Sequence, residues 1–129
     1  MIERIGRQKK FYSRTVLLVD DEQQIRSVTR AMLEILGCRV VCCDCGDEAL
    51  CWLRRNGNAD AMVTDIDMPE MDGIELADEA GRIVPDLPVV FCSGGSRKSV
   101  RTAGGCRCRL SKPFTLKQLE QALSRVIVA

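Results

Sequence analysis

Apolar positions along the chain switch repeatedly between two rhythms. Val16 to Val19 is a continuous apolar run, as expected for a strand buried on both faces, and it stops abruptly at Asp20-Asp21-Glu22. Ile25, Val28, Met32 and Ile35 or Leu36 then recur at helical spacing, with Gly37 as a natural stop. Cys38 to Cys43 reads as a second strand, followed by a helix from Asp47 to Arg55 that ends before Asn56-Gly57. A third strand, Ala61 to Asp65, leads into the acidic loop TDIDMPEMDG. Beyond Gly73 a third helix places Ile74, Ala77, Ala80 and Val84 on its inner side, and Pro85 and Pro88 bracket the turn into a fourth strand, Val89 to Cys92.

Gly94-Gly95 opens a short segment, with room for one or two helical turns, that closes at Gly104-Gly105. The fifth strand, Cys106 to Leu110, alternates strictly, with Cys106, Cys108 and Leu110 on one face and Arg107 and Arg109 on the other, which suits an edge strand. A last helix carries Leu116, Leu119, Leu123 and Val126 or Ile127 on one stripe. Strands alternating with helical segments predict a doubly wound α/β domain with a parallel sheet covered on both faces. In that architecture ligands sit outside the carboxyl ends of the strands. Asp20 and Asp21 end the first strand, Asp65 the third, and Ser93 and Lys112 follow the fourth and fifth. Side chains far apart in sequence therefore converge on one rim.

Composition narrows the partners. The 129 residues fit one domain, expected over residues 15–129 behind a basic, aperiodic lead-in of residues 1–14. Nineteen basic against eighteen acidic residues give a formal charge of +1, so nothing marks a nucleic-acid-binding surface. No apolar run approaches the ~20 residues that span a bilayer, and the start of the chain lacks the apolar core of a signal peptide, so a cytoplasmic protein is expected. The eight cysteines lie mostly in apolar strand-like runs, where reduced cysteine packs as a small hydrophobe. Cys42 and Cys45 in C-x-x-C, with Cys106 and Cys108 in C-x-C, offer a thiolate metal site as the sharper alternative; with no histidine, zinc would have only thiolates or carboxylates.

The rim has a definite chemistry. Asp20, Asp21 and Asp65 bring three negative charges against the one positive charge of Lys112. Like charges ~4 Å apart cost about 1 kcal/mol in water and about 4 kcal/mol at an effective dielectric of about 20. Such a cluster suits Mg²⁺, a hard cation bound through one or two carboxylates together with a phosphate. A remaining carboxylate could then act as a nucleophile towards phosphorus, with Lys112 and the Ser93 hydroxyl on the phosphoryl oxygens.

LLVDDE (17–22), DIDMPEMDG (65–73), VVFCSG (89–94) and SKPF (111–114) occur in that order, each at a strand end. Through them the chain, from Thr15 to Ala129, resembles the receiver domain of two-component response regulators. The resemblance implies a flavodoxin-like fold of strand order 2-1-3-4-5. It implies that Asp65 accepts a phosphoryl group from a phosphohistidine on a sensor histidine kinase or a histidine phosphotransfer protein. By the same resemblance Asp21 matches the direct Mg²⁺ ligand, Asp20 its water-bridged companion, and Asp67 the residue whose backbone carbonyl completes the metal site. Lys112 matches the phosphate-contacting lysine, whose bond to Pro113 is usually cis, and Ser93 matches the hydroxyl residue that signals activation. Such a domain is no enzyme beyond its own phosphorylation and slow dephosphorylation, and it signals to a downstream effector or a second copy of itself. Strands two and five would lie on opposite edges, so Cys42, Cys45, Cys106 and Cys108 could not share one ion.

Two departures from the pattern stand out. Receivers usually carry an aromatic residue three positions before the lysine, where this chain has Arg109. The interval from Ser93 to Lys112 is short by nearly a helical turn, so the fourth helix is expected to be shortened or irregular. Arg109 is expected to stay outward beside Arg107, because a guanidinium is costly to bury without a partner, leaving Ser93 and the loop from Gly94 to Gly105 to report phosphorylation. Asp67, Glu70, Asp72 and Gly73 read more readily as loop structure than as chemistry. Two other functions fit less well. A phosphohydrolase of the haloacid dehalogenase type would use Asp65 and Asp67 as nucleophile and acid, but expects a threonine where Pro69 stands. A receiver-like protein-binding module without phosphotransfer would not need all four charged rim residues.

Overall fold

The computed structural model describes residues 10–95 and 106–127. Five strands alternate with helices: β1 (Thr15–Val19), α1 (Gln23–Ile35), β2 (Arg39–Cys43), α2 (Gly46–Asn56), β3 (Ala61–Asp65), α3 (Gly73–Ile83), β4 (Val89–Ser93), β5 (Arg107–Ser111) and α4 (Leu116–Val126). All strand pairs are parallel, in the order β2-β1-β3-β4-β5. The fold class is the doubly wound, flavodoxin-like sheet that the alternation predicted. The expected short fourth helix falls between β4 and β5 at residues 96–105, outside the described residues.

Each face of the sheet has its own core. Leu17, Val19, Met62, Val89 and Phe91 pack with Leu50, Leu53, Leu76 and Ala80 of α2 and α3. Val16, Leu18, Val63, Val90 and Cys92 pack with Leu33, Leu119 and Leu123 of α1 and α4. Because β1, β3 and β4 contribute to both cores, every residue of β3 and β4 is buried, and this explains the apolar runs Ala61 to Val63 and Val89 to Cys92 that precede their polar ends.

Helix boundaries follow local chemistry. Gly57 closes α2 in the left-handed conformation, φ 79°, its N–H bonded to the Leu53 carbonyl. Asp72 caps α3: its carboxylate accepts from the Glu75 N–H, and Glu75 returns a bond to the Asp72 N–H. Thr115 and Gln118 form the same reciprocal pair at the start of α4.

Three expectations need correction. α1 follows the predicted stripe only in part: Leu36 is buried and Met32 packs against the core as expected, but Thr29 and Leu33 are buried where Val28 is 57% and Ile35 48% exposed. Thr29, a polar residue, sits on the buried side, and the period of the apolar residues alone does not reveal this. Residues 10–14 are not a free lead-in. Phe11 is 4% exposed, packs into the α1/α4 core, and bonds through its N–H to the Leu36 carbonyl at 3.0 Å. Arg107 is not on an exposed edge. Its side chain is 6% exposed, lies over the Phe91 ring at 5.9 Å, and reaches Asp78 of α3 at 3.3 Å.

The predicted opposition of β2 and β5 is observed, so the cysteine pairs at positions 42/45 and 106/108 belong to opposite edges. All eight thiols are free, and burial pushes those of Cys38 to about 11 and of Cys43 and Cys92 to about 12. These three are inert packing groups, since the reactive thiolate is disfavoured.

Candidate functional site

The carboxyl ends of β1, β3, β4 and β5 meet at one edge of the sheet. Parallel register sets Val19 beside Thr64 and Asp65 beside Cys92. Strand-end bonds extend the ladder into the loops, with the Ile66 N–H on the Cys92 carbonyl at 2.9 Å and the Lys112 N–H on the Ser93 carbonyl at 2.8 Å. The predicted residues Asp20, Asp21, Asp65, Ser93 and Lys112 are thereby gathered in one cleft. Ligand oxygens of Asp20, Asp21 and Asp65 all lie within 4.8 Å of one another, and this is the one such acidic or thiolate cluster among the described residues.

Asp20 and Asp65 are buried, at 4% and 5% exposure, while Asp21 is open to solvent. Lys112 Nζ stands 3.4 Å from Asp20 Oδ2 and 3.4 Å from Asp65 Oδ1. Backbone N–H groups supplement the lysine: Glu22 donates to Asp20 Oδ1 at 2.9 Å and Asp67 to Asp65 Oδ1 at 3.3 Å. Arg26, one turn into α1, donates to the Asp20 carbonyl at 2.7 Å and fixes the β1–α1 loop. Sequence pattern did not single out Arg26; its i+6 spacing from Asp20 puts it on the turn above the loop.

Charge balance in the cleft is incomplete. Burial raises the Asp65 pKa above its ordinary value and the Asp20 carboxylate adds to this, while Lys112 and the Asp67 N–H oppose it. Burial works against the Lys112 ammonium, yet Asp20 and Asp65 together outweigh it and hold its pKa above the usual lysine value. The cluster therefore has room, electrostatically, for another positive charge.

Gly73 makes the geometry of the acidic loop possible. Its N–H bonds the Ile66 carbonyl at 2.9 Å, and a Cβ at this position would run into the backbone carbonyl of Asp65. The loop doubles back on the strand end so closely that only glycine fits. Glu70, at φ 69°, completes the turn. Asp72 serves as the α3 cap, so the structural reading of these loop residues was right for both. The Lys112-Pro113 bond is cis, as expected.

On the other side of the cleft Ser93, Gly94, Gly95, Arg109, Ser111 and Lys112 line an open, polar recess of about 310 Å³. Arg109 does not simply project into solvent: its Nη2 donates to Ser93 Oγ at 3.1 Å. Strand register could have revealed this, because Phe91 pairs with Arg109 and Ser93 with Ser111. Alternation then puts both arginines on the Phe91 and Ser93 side of the sheet.

Three carboxylates and a lysine thus stand at the carboxyl edge of a doubly wound parallel sheet. The chain belongs to the response regulator receiver domain family, whose model matches residues 16–124. It is 34% identical over 117 residues to the response regulator receiver protein CpdR of Brucella abortus (strain 2308), covering 88% of this chain and 97% of that one. It is 36% identical over 107 residues to the response regulator MprA of Mycobacterium sp. (strain KMS), covering 81% of this chain and 46% of that protein. The chain thus spans less than half the length of several curated relatives it matches.

Among solved structures, the chemotaxis protein CheY4 of Vibrio cholerae superposes with a TM-score of 0.80 at 28% identity, covering 89% of this chain and 99% of that one. The receiver domain of the sensor histidine kinase PA1611 of Pseudomonas aeruginosa PAO1, with a magnesium ion coordinated in its active site cleft, superposes at 0.76 with 27% identity, covering 91% and 99%. The chain is therefore a receiver domain of two-component signalling. No helix among the described residues is long and apolar enough to cross a membrane.

Proposed function

We propose that Asp65 is the phosphoacceptor, that Asp20 and Asp21 with Asp65 and the Asp67 carbonyl hold Mg²⁺, and that the donor is a phosphohistidine on a sensor kinase or phosphotransfer protein. The observation that carries this reading is the buried Asp65 carboxylate, set between Lys112 and two further carboxylates at the end of β3. The donor set fits the ion: clustered hard oxygens, with net negative charge left after Lys112 is counted. When bound, Mg²⁺ would supply neutralisation of charge on the transferring phosphoryl group.

The rest of the step belongs to the chain. An Asp65 carboxylate oxygen attacks phosphorus, an O–P bond forms, the N–P bond to the donor imidazole breaks, and the imidazole leaves with the bonding electron pair and takes up a proton. Lys112, already 3.4 Å from Asp65, stays on the phosphoryl oxygens. Ser93, at the end of β4, donates its hydroxyl to the same group, and the domain then hydrolyses its acyl phosphate slowly. Kinase, chain and donor would meet in the cytoplasm, consistent with eight unpaired thiols. The output is a changed protein-binding surface, read by an effector or a second copy.

Acetyl phosphate with Mg²⁺ should add one phosphoryl group, labile to base and to hydroxylamine, to the wild-type chain and none to Asp65→Asn. Equal labelling of Asp65→Asn would exclude the assignment. Steady turnover of p-nitrophenyl phosphate would point instead to a phosphohydrolase.

A further inference from the structure

The β1–α1 loop carries two of the three clustered carboxylates, Asp20 and Asp21, and it is fastened to its helix differently from the loops before α3 and α4. Asp72 and Thr115 cap those two helices with reciprocal side-chain bonds, whereas Glu22, in the same place before α1, makes no side-chain cap bond. Arg26 reaches back instead. Its backbone N–H donates to the Glu22 carbonyl at 2.9 Å, and its guanidinium Nη1 donates to the Asp20 carbonyl at 2.7 Å. A cationic donor at that distance makes a charge-assisted bond, stronger than a neutral one. Asp21 thus lies between two residues that Arg26 ties to the start of α1.

The two carboxylates of the loop are held in different ways. Asp20 is buried, and its carboxylate accepts from the Glu22 N–H at 2.9 Å and from Lys112 Nζ at 3.4 Å. Asp21 is exposed, so packing does little to place it and the backbone on either side sets where its carboxylate stands. Charge works in the opposite direction, because a guanidinium close to a cation site repels the ion. By Coulomb's law alone Arg26 is unfavourable for a metal in the cleft; it is favourable only through the geometry it imposes.

We infer that Arg26 is a positioning residue for the metal site: by bonding the Asp20 carbonyl it holds the β1–α1 loop so that the Asp21 carboxylate stays together with those of Asp20 and Asp65. The inference rests on the reading of this cluster as the Mg²⁺ site and deepens it by naming a group outside the ligand set that shapes it. Arg26 acts through the loop backbone and is no ligand itself, since a guanidinium has no lone pair to offer.

The test is a Mg²⁺ titration of the folded chain, followed by the amide resonances of Asp20, Asp21 and Glu22, in the wild type, Arg26→Met and Asp21→Ala, with each melting temperature in chelator measured alongside. Arg26→Met keeps the apolar stem and loses both the charge and the donors. Removing the partner that orients a metal ligand weakens binding by about tenfold or more, so Arg26→Met should raise the Mg²⁺ Kd about tenfold. The sign separates the alternatives. If Arg26 were only a nearby charge, Arg26→Met would bind Mg²⁺ more tightly than the wild type. If it only supported the helix, the melting temperature in chelator would fall while the Kd of the folded chain stayed unchanged. Either result overturns the inference, and Arg26→Gln takes the place of methionine if that variant does not fold. A wild-type chain without saturable Mg²⁺ binding, or Asp21→Ala binding equally well, brings down the metal-site reading and this inference with it. Binding that depends on Asp21, with Arg26→Met at wild-type affinity or tighter, removes the Arg26 role alone.

Discussion

The two sides of the cleft are built on different principles. On the β1/β3 side Asp20, Asp21 and Asp65 are brought together by strand ends and by a loop folded so tightly that Gly73 has no room for a side chain. Like charges are forced into proximity there, and the side is under electrostatic load. On the β4/β5 side Ser93, Arg109 and Lys112 are tied by hydrogen bonds in an open recess lined by Gly94 and Gly95. A neutral hydroxyl and two cationic side chains share that recess. One half of the site crowds negative charge that a cation could relieve, while the other half holds a hydroxyl beside cationic side chains in open space.

The largest effect should come from breaking the crowded side sterically. Gly73→Ala drives a methyl group against the Asp65 carbonyl, and overpacking of this kind should cost roughly 3 kcal/mol in urea unfolding. Gly94→Ala, where no atom of the described residues lies within 4 Å of an added Cβ, should cost far less. Equal losses would mean that the two loops are not packed differently.

A smaller effect should follow from removing part of the charge. Binding of Mg²⁺ to the native state alone should stabilise the wild-type chain by about 1.4 kcal/mol when free Mg²⁺ is tenfold above its Kd. Asp21→Ala should lose this dependence, and without metal it should be no less stable than the wild type, because repulsion within the cluster is reduced. A wild-type melting temperature indifferent to millimolar Mg²⁺ would contradict the picture of a loaded acidic side.

The mildest signature is in the pH dependence without metal. Asp65 has a folded pKa above its unfolded value, so the folded state holds the proton more tightly. The stability this gives is present below about pH 4, the unfolded value, and is lost as pH rises through the raised folded value. In chelator, Asp65→Asn should therefore flatten that decline and melt a few degrees above the wild type near neutral pH. A wild-type stability that rises across the same interval with no difference from Asp65→Asn would reverse the sign.

The same contrast explains what could be read from the sequence. Strands buried on both faces announce themselves as continuous apolar runs, and Val16–Val19, Ala61–Val63 and Val89–Cys92 fixed the rim on which Asp20, Asp65 and Ser93 were expected and found. Strand order, the cis bond before Pro113 and the separation of the cysteine pairs followed from the family resemblance. What local pattern could not supply were contacts whose partners lie on other elements. Phe11 finds its place only once α1 and α4 are packed, and it is Thr29 rather than Val28 that lies on the buried face of α1. Arg107 is buried because Phe91 and Asp78 are there to receive it, and alternation along one strand names a face without saying what covers it. Arg109, whose guanidinium bonds Ser93, is another case of the same gap.

The central claim is that a single carboxylate of the acidic cluster, Asp65, takes the phosphoryl group. Its most direct test is reduction of the acetyl-phosphate-labelled chain with borohydride, which converts a phosphorylated aspartate to homoserine, followed by peptide mapping. The account predicts homoserine at position 65 and intact aspartate at positions 20, 21 and 67. Homoserine at Asp20, Asp21 or Asp67 with Asp65 unmodified would contradict it.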